Sequence, residues 1–332
     1  MNNFTYVKAV TVDHALCEVQ KPNARFIGGG TNLIDLMKGQ VECASHLVDV
    51  RCIPGMTSIE PMTNGGLLIG ASVSNSEVAN DPLVRMHYPL LSQALLAGAS
   101  QQLRNAATVG GNLMQRTRCP YFYDTSFDRC NKRQLGSGCA AIDGFTRMHA
   151  IVGASPECIA VNPSDMSVAL AALDAVVHVE GPNGEQRCID FCDFHRLPGD
   201  RPDLDTTLQC GELITAVEIP PSSFSESSYY LKVRDRASFA FALVSVAAAL
   251  QFEGSVVKDA RIALGGIAHK PWRCCEAEQL LIGQPISEAL LLEVAEKAMF
   301  QALPQRDNQF KIELARRSIV RALKHAVAGS TK

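Results

Sequence analysis

The spacing of apolar residues predicts short strands and helices in alternation up to about residue 220, and a different arrangement after it. Apolar runs at 25–27, 46–50 and 67–73 read as strands, and 33–38, directly after a glycine run, reads as a short helix. Ser74 is placed to cap a helical stretch, 90–99 is a second apolar helix, and Ser164 or Asp165 caps a third over 166–173. The runs 175–180 and 185–190 flank Pro182-Asn183-Gly184, a hairpin signal, and a strand at 213–219 stops at Pro220 and Pro221. The stretch 220–228, rich in Pro and Ser, reads as a linker. Beyond it, 229–234, 243–252 and 256–264 read as antiparallel strands, and 288–303 and 309–328 as two closing helices, an α+β domain.

Composition narrows the function classes. The 332 residues suffice for two or three domains, and 47% hydrophobic with 20% charged residues is ordinary for a globular chain. A net charge of −3 and 6% aromatic residues offer nothing to nucleic acid or an anionic membrane. The longest largely apolar run, 239–250, is shorter than the roughly 20 residues of a membrane-spanning helix. The first residues, M-N-N-F-T-Y-V-K, have no basic region leading into an apolar core, so no export signal is expected on this chain. Twelve cysteines, scattered except for one cluster and including the adjacent Cys274 and Cys275, read as thiols of a protein that folds in a reducing compartment.

Two glycine loops carry the first candidate chemistry. Gly28-Gly29-Gly30-Thr31-Asn32 lies between a strand and a helix, where the missing Cβ atoms let a phosphate approach the N–H groups. It matches neither the usual dinucleotide fingerprint nor a triphosphate loop with its lysine. Thr108-Val109-Gly110-Gly111-Asn112 repeats hydroxyl, glycines and amide. Two such loops suit a ligand with two phosphates; two tight turns without a ligand is the alternative.

The second candidate is a thiol set, Cys119-x10-Cys130-x8-Cys139-x18-Cys158. The spacing is neither that of a zinc ribbon nor the compact run of a bacterial ferredoxin. Arg116, Arg118, Arg129, Lys132 and Arg133 could offset the charge of a four-thiolate [4Fe–4S] cluster, and Gly136-Ser137-Gly138 could aim N–H groups at sulfur. Four buried free cysteines is the competing reading. Cys188 and Cys192 read as packing residues.

I-G-G-G-T-N-L (27–33), T-V-G-G-N-L (108–113) and K-V-R-D-R-A-S-F-A-F-A-L-V (232–244) resemble the FAD-binding subunits of the xanthine dehydrogenase family of molybdenum hydroxylases, across essentially the whole chain. The insertion, with R-T-R-C-P-Y-F-Y-D, C-N-K-R and G-S-G-C-A-A, is similar to that of bacterial periplasmic aldehyde oxidoreductases, whose FAD subunit carries an additional [4Fe–4S] cluster; 4-hydroxybenzoyl-CoA reductase has a comparable one. The resemblance implies a vanillyl-alcohol-oxidase-type FAD fold. Its two α+β subdomains are 1–52 and 53–220, the second with the cluster insertion at about 115–160, followed by a C-terminal α+β domain, 221–332. It implies that Ile27, Gly28, Gly29, Gly30, Thr31, Asn32 and Leu33 wrap the FAD pyrophosphate, and that Thr108, Gly111 and Asn112 continue the contact. Asp165 would lie near FAD, Ile214 beside the flavin, and Lys232 near the isoalloxazine, where a cation stabilises the reduced ring. Cys119, Cys130, Cys139 and Cys158 would hold the cluster.

The function so implied is electron transfer. A large molybdenum-cofactor subunit would oxidise aldehydes to carboxylic acids. A small subunit with two [2Fe–2S] clusters would pass electrons to FAD here and on to an external acceptor, in a heterotrimer. No residue of this chain is expected to touch the aldehyde. Two alternatives remain at this stage. A self-contained flavin oxidase would need a general base, but the eight histidines are dispersed, and His149 and His269 read as structural. A zinc-stapled binding module would have no redox role. The residues point to the cytoplasm; the resemblance points to the periplasm, by co-export with a partner that bears a twin-arginine signal.

Overall fold

The computed structural model describes residues 1–329; the last three residues of the expected C-terminal part, 330–332, lie outside the described residues. Among the described residues, twelve strands form three sheets. The first is parallel, with β3 (His46–Asp49) between β1 (Thr5–Lys8) and β2 (Ala24–Ile27). The first glycine loop leaves the carboxyl end of β2, the edge where open parallel sheets bind ligands. The helix Leu33–Lys38 follows with the predicted bounds.

The second sheet is antiparallel throughout, in the order β4 (Ile59–Pro61), β5 (Leu67–Gly70), β8 (Leu213–Ile219), β6 (Val176–Glu180), β7 (Gln186–Asp190). The predicted hairpin is β6–β7, turned at Gly184 with φ +79°. The helix Pro89–Ala97 stops at Gly98, two residues short of the expected end. The expected second glycine turn is itself one helical turn, Val109–Leu113. Thr108 caps it, its hydroxyl accepting from Gly111 N–H at 3.2 Å.

The third sheet, also antiparallel, runs β12 (Trp272–Arg273), β11 (Val256–Gly265), β10 (Val244–Glu253), β9 (Ser228–Val233). Strand β10 is covered on both sides, which explains its apolar run, 246–250. Val246, Ala248 and Leu250 face a core shared with the helices Glu288–Ala298 and Phe310–Gly329. Ala247 and Ala249 join the main core, where the helix Asp165–Ala172 packs on the sheet. That packing is close: a Cβ on Gly265 would lie 2.5 Å from Val168 Cγ2. The stretch read as a linker is anchored rather than loose, with Phe224 buried in the main core and Tyr88 OH donating to Pro220 O at 3.1 Å. No helix among the described residues is long and apolar enough to cross a membrane.

Lys311 is fully buried in the first turn of the last helix and donates to His149 O (3.0 Å) and Gly266 O (2.5 Å). Burial, then Arg147, pushes its pKa down to about 7. Between that value and the ordinary lysine value the unfolded chain holds the extra proton, so this group makes stability rise with pH from about 7 towards 10. Denaturant midpoints measured across that range are expected to climb in the wild type, with a flatter profile in Lys311→Met.

Candidate functional site

The two glycine loops meet. A Cβ on Gly29 would lie 1.7 Å from Ala106 O, and one on Gly28 2.4 Å from Thr108 Oγ1, so the glycines are needed for the loops to touch. Gly30 has φ +71°. The N–H groups of Gly28, Gly29, Gly30, Thr31 and Asn32 make no hydrogen bond among the described residues. Unpaired donors of this kind call for a ligand or water. They border a cavity of about 320 Å³ whose wall includes residues 25–33, Thr108, Gly110, Gly111 and Ile214. The row of donors over a cavity fits a diphosphate ligand.

The remaining predicted ligand contacts divide. The Asn32 side chain is engaged within the protein: Oδ1 accepts from Arg116 N–H (2.8 Å) and Nδ2 donates to Tyr123 OH (3.0 Å). It ties the first loop to the cysteine segment. Asn112 Oδ1 accepts from the Ser164 hydroxyl (2.6 Å), which joins the second loop to the N-P-S-D turn. Asp165 is buried and accepts from Tyr230 OH (2.8 Å) and Lys232 Nζ (2.7 Å). Lys232 also donates to Ala97 O (3.2 Å) and is absent from the wall of the glycine-loop cavity. Its ammonium is thus compensated by Asp165. Ser164 and Asp165 instead line a second cavity, of about 380 Å³, together with Cys119, His149, Phe239 and Phe241.

Sequence reasoning placed Arg116 and Lys132 beside the cysteines but missed the carboxylates through which they join these parts. Arg116 lines the glycine-loop cavity and pairs with both Glu42 and Asp205. Burial works against its charge, but the two carboxylates outweigh it and raise its pKa. Asp205 also receives Lys132, and burial is likewise outweighed by Lys132 and Arg116, which hold its carboxyl far below the usual range. Arg116 had a signal, its place three residues beyond the second loop's helix; Asp205 had none.

The four cysteines are gathered but unbonded, with Cys130 and Cys158 buried and Cys119 and Cys139 partly so. Cys130 and Cys139 face each other in an isolated antiparallel bridge. Cys119 feels the charges of Cys158 and Cys139, and Cys158 those of Cys139 and Cys130. Burial pushes the Cys119 thiol up to about 12 and the Cys158 thiol up to about 11, against N–H groups of Phe122 and Tyr121 in the first case and, in the second, Lys132 and the Ala160 N–H. Among the described residues, no three His, Cys, Asp or Glu side chains converge on a position for one metal ion.

The surrounding cations also have partners within the segment. Arg133 donates to the carbonyls of Tyr121 (2.6 Å) and Phe122 (2.8 Å), Arg129 pairs with Asp143, and Arg118 lies over the Tyr123 and Phe241 rings. These contacts shape the segment, and the charges also reach the sulfurs: Arg116 is coupled to Cys130, Arg129 to Cys139 and Lys132 to Cys158. The N–H groups of Ser137 and Gly138 serve their own turn, bonding Gln134 O (3.1 Å) and Asn131 Oδ1 (2.9 Å) rather than sulfur. His149 and His269 are both held near 4, mainly by burial, and His269 Nδ1 contacts Arg196 O at 2.8 Å, which suits structural roles.

A parallel three-stranded sheet feeding a glycine loop, a second loop packed on it and an antiparallel C-terminal domain define a flavoprotein subunit. Residues 2–222 match the family model for the FAD binding domain in molybdopterin dehydrogenase, and 229–326 that for the CO dehydrogenase flavoprotein C-terminal domain. The chain belongs to the FAD-binding subunits of the molybdopterin dehydrogenases and is an oxidoreductase subunit. It is 50% identical over 329 residues, 99% of each chain, to the aldehyde oxidoreductase FAD-binding subunit PaoB of Escherichia coli K12. It is 27% identical to the glyceraldehyde dehydrogenase medium chain of Sulfolobus acidocaldarius, over 96% of this chain and 95% of that one. Among solved structures, quinoline 2-oxidoreductase from Pseudomonas putida 86 superposes with a TM-score of 0.76 at 25% identity, covering 99% of both chains. Carbon monoxide dehydrogenase from Hydrogenophaga pseudoflava gives 0.77 at 23%, covering 99% of this chain and 98% of that one, and shows the shared fold.

Proposed function

We propose that this chain is the FAD- and [4Fe–4S]-carrying electron-transfer subunit of a heterotrimeric molybdenum aldehyde oxidoreductase, with a large molybdenum-cofactor subunit and a small subunit bearing two [2Fe–2S] clusters. When bound, FAD would accept electrons from the partner clusters and release them to an external acceptor, and the [4Fe–4S] cluster would supply a further one-electron station. The observation that carries the reading is the unpaired N–H row of Gly28 to Asn32 over a cavity shared with Thr108, Gly111 and Ile214. That row would hold the pyrophosphate, with Ile27 and Leu33 shielding it and Ile214 against the ring. Asn112 would position the second loop through Ser164, and Asp165 would fix Lys232 at the domain junction.

For the cluster, Cys119, Cys130, Cys139 and Cys158 are the ligands we propose. A multi-iron core spreads its four sulfurs wider than one tetrahedral zinc does, which favours it over a zinc staple for thiols that are near one another without converging. Tyr121, Phe122 and Ala160 N–H groups would stabilise thiolate charge there. We place the complex in the periplasm, exported folded on a signal carried by a partner, in line with the sequence resemblance.

The self-contained flavin oxidase is tested by the complex prepared from molybdenum-depleted cells. Aldehyde is expected to leave its flavin oxidised, while dithionite still bleaches it. Aldehyde-driven bleaching without molybdenum would sink the partner-dependent reading.

A further inference from the structure

The β6–β7 hairpin sets two chemically active side chains opposite each other. His178 and Cys188 are cross-strand partners, and Cys188 Sγ lies 3.7 Å from His178 Nδ1. The other ring nitrogen, Nε2, is 2.9 Å from Glu218 Oε2, on β8 at the opposite side of β6. With Glu218 accepting from Nε2–H, the lone pair of Nδ1 is turned to the thiol. A nucleophile, a base and a carboxylate that orients the base therefore stand in line, the arrangement that activates a weak nucleophile. Cys188 is exposed, and His178 and Glu218 are partly so. None of the three belongs to either cavity at the flavin and cysteine sites. Glu60, Glu180 and Asp190 are the other ionisable residues on this face of the sheet, at register positions of β4, β6 and β7. All are acidic, and among the described residues His178 is the one placed in contact with the thiol.

Five other cysteines are exposed: Cys17, Cys43, Cys52, Cys210 and Cys275. Among the described residues, the one further cysteine in contact with a histidine is Cys119, beside His149 at 3.2 Å and within the proposed cluster set. Exposure with a positioned base thus singles out Cys188.

We infer that Cys188 is a thiol-modification site, activated by His178 and Glu218, that exchanges with low-molecular-weight disulfides. Sγ attacks one sulfur of the disulfide while Nδ1 of His178 takes the thiol proton. The S–S bond of the small molecule breaks, a mixed disulfide forms on Cys188, and the departing thiolate leaves as a thiol with that proton. Cys188 is oxidised and the departing half is reduced, so atoms and electrons balance. The exposed sulfur admits a small linear disulfide. This site is independent of the electron-transfer reading.

The test treats the purified complex with oxidised glutathione and follows each cysteine by peptide mass spectrometry. Cys188 is expected to be glutathionylated at least about tenfold faster than the five other exposed cysteines, a modest effect for a positioned base. In His178→Gln that excess should vanish, and Glu218→Gln should reduce it, with FAD content confirming that the variants fold. Equal rates for Cys188 and the other exposed cysteines in the wild-type complex would overturn the inference without any variant. So would an undiminished rate in His178→Gln.

Discussion

Gly29→Ala is expected to yield a chain that retains little FAD. The new Cβ would sit 1.7 Å from Ala106 O and 2.5 Å from Ala106 C, both backbone atoms that no rotamer change can move aside. Overpacking of this kind costs about 1–3 kcal/mol. Here the relief available is to part the two loops, which moves the donor row away from the second loop, so affinity for FAD should fall by roughly ten- to a hundredfold. Gly55→Ala is the control for backbone strain alone: its φ is +83° but nothing lies within 4 Å of the added carbon. Flavin absorbance per chain after dialysis reads both variants, and equal retention in the two would show that contact between the loops is not what binds the cofactor.

Asp165→Leu should be the most destabilising single change at the domain junction. It strips the buried Lys232 ammonium of its counter-charge and takes from the Tyr230 hydroxyl the carboxylate it donates to. Removing one partner of a buried pair costs about 3–5 kcal/mol, whereas replacing both by apolar groups is often close to neutral. The double variant Asp165→Leu/Lys232→Met should therefore recover most of the loss in a denaturant titration. A single variant that unfolds at the wild-type midpoint would mean that the pair contributes nothing.

What could be read from the sequence follows from what each signal measures. Apolar periodicity located β5, β6, β8, β10 and β11 to within a few residues because their buried positions repeat. It missed β1 and β4, whose residues are largely exposed and sit at sheet edges held by backbone pairing. The glycine loops were legible because a glycine run between strand and helix has few other uses. The fate of polar side chains was not. Asn32 is claimed by Tyr123, and Lys232 by Asp165, through folding that brings distant segments together. Cys188 is an intermediate case: its facing of His178 follows from a hairpin centred on Asn183, yet composition suggested only packing.

We propose that two glycine loops hold FAD and that the neighbouring cysteine segment holds iron. FAD, iron, acid-labile sulfide and zinc measured on the purified complex, in the wild type and in Cys139→Ser, test it most directly. One FAD per chain is predicted, with iron and sulfide in excess of the two partner [2Fe–2S] clusters by one [4Fe–4S] complement. That excess alone should be lost in Cys139→Ser. FAD with no excess iron, or with zinc in its place, would contradict the cluster and leave a flavoprotein subunit whose four gathered cysteines serve another purpose.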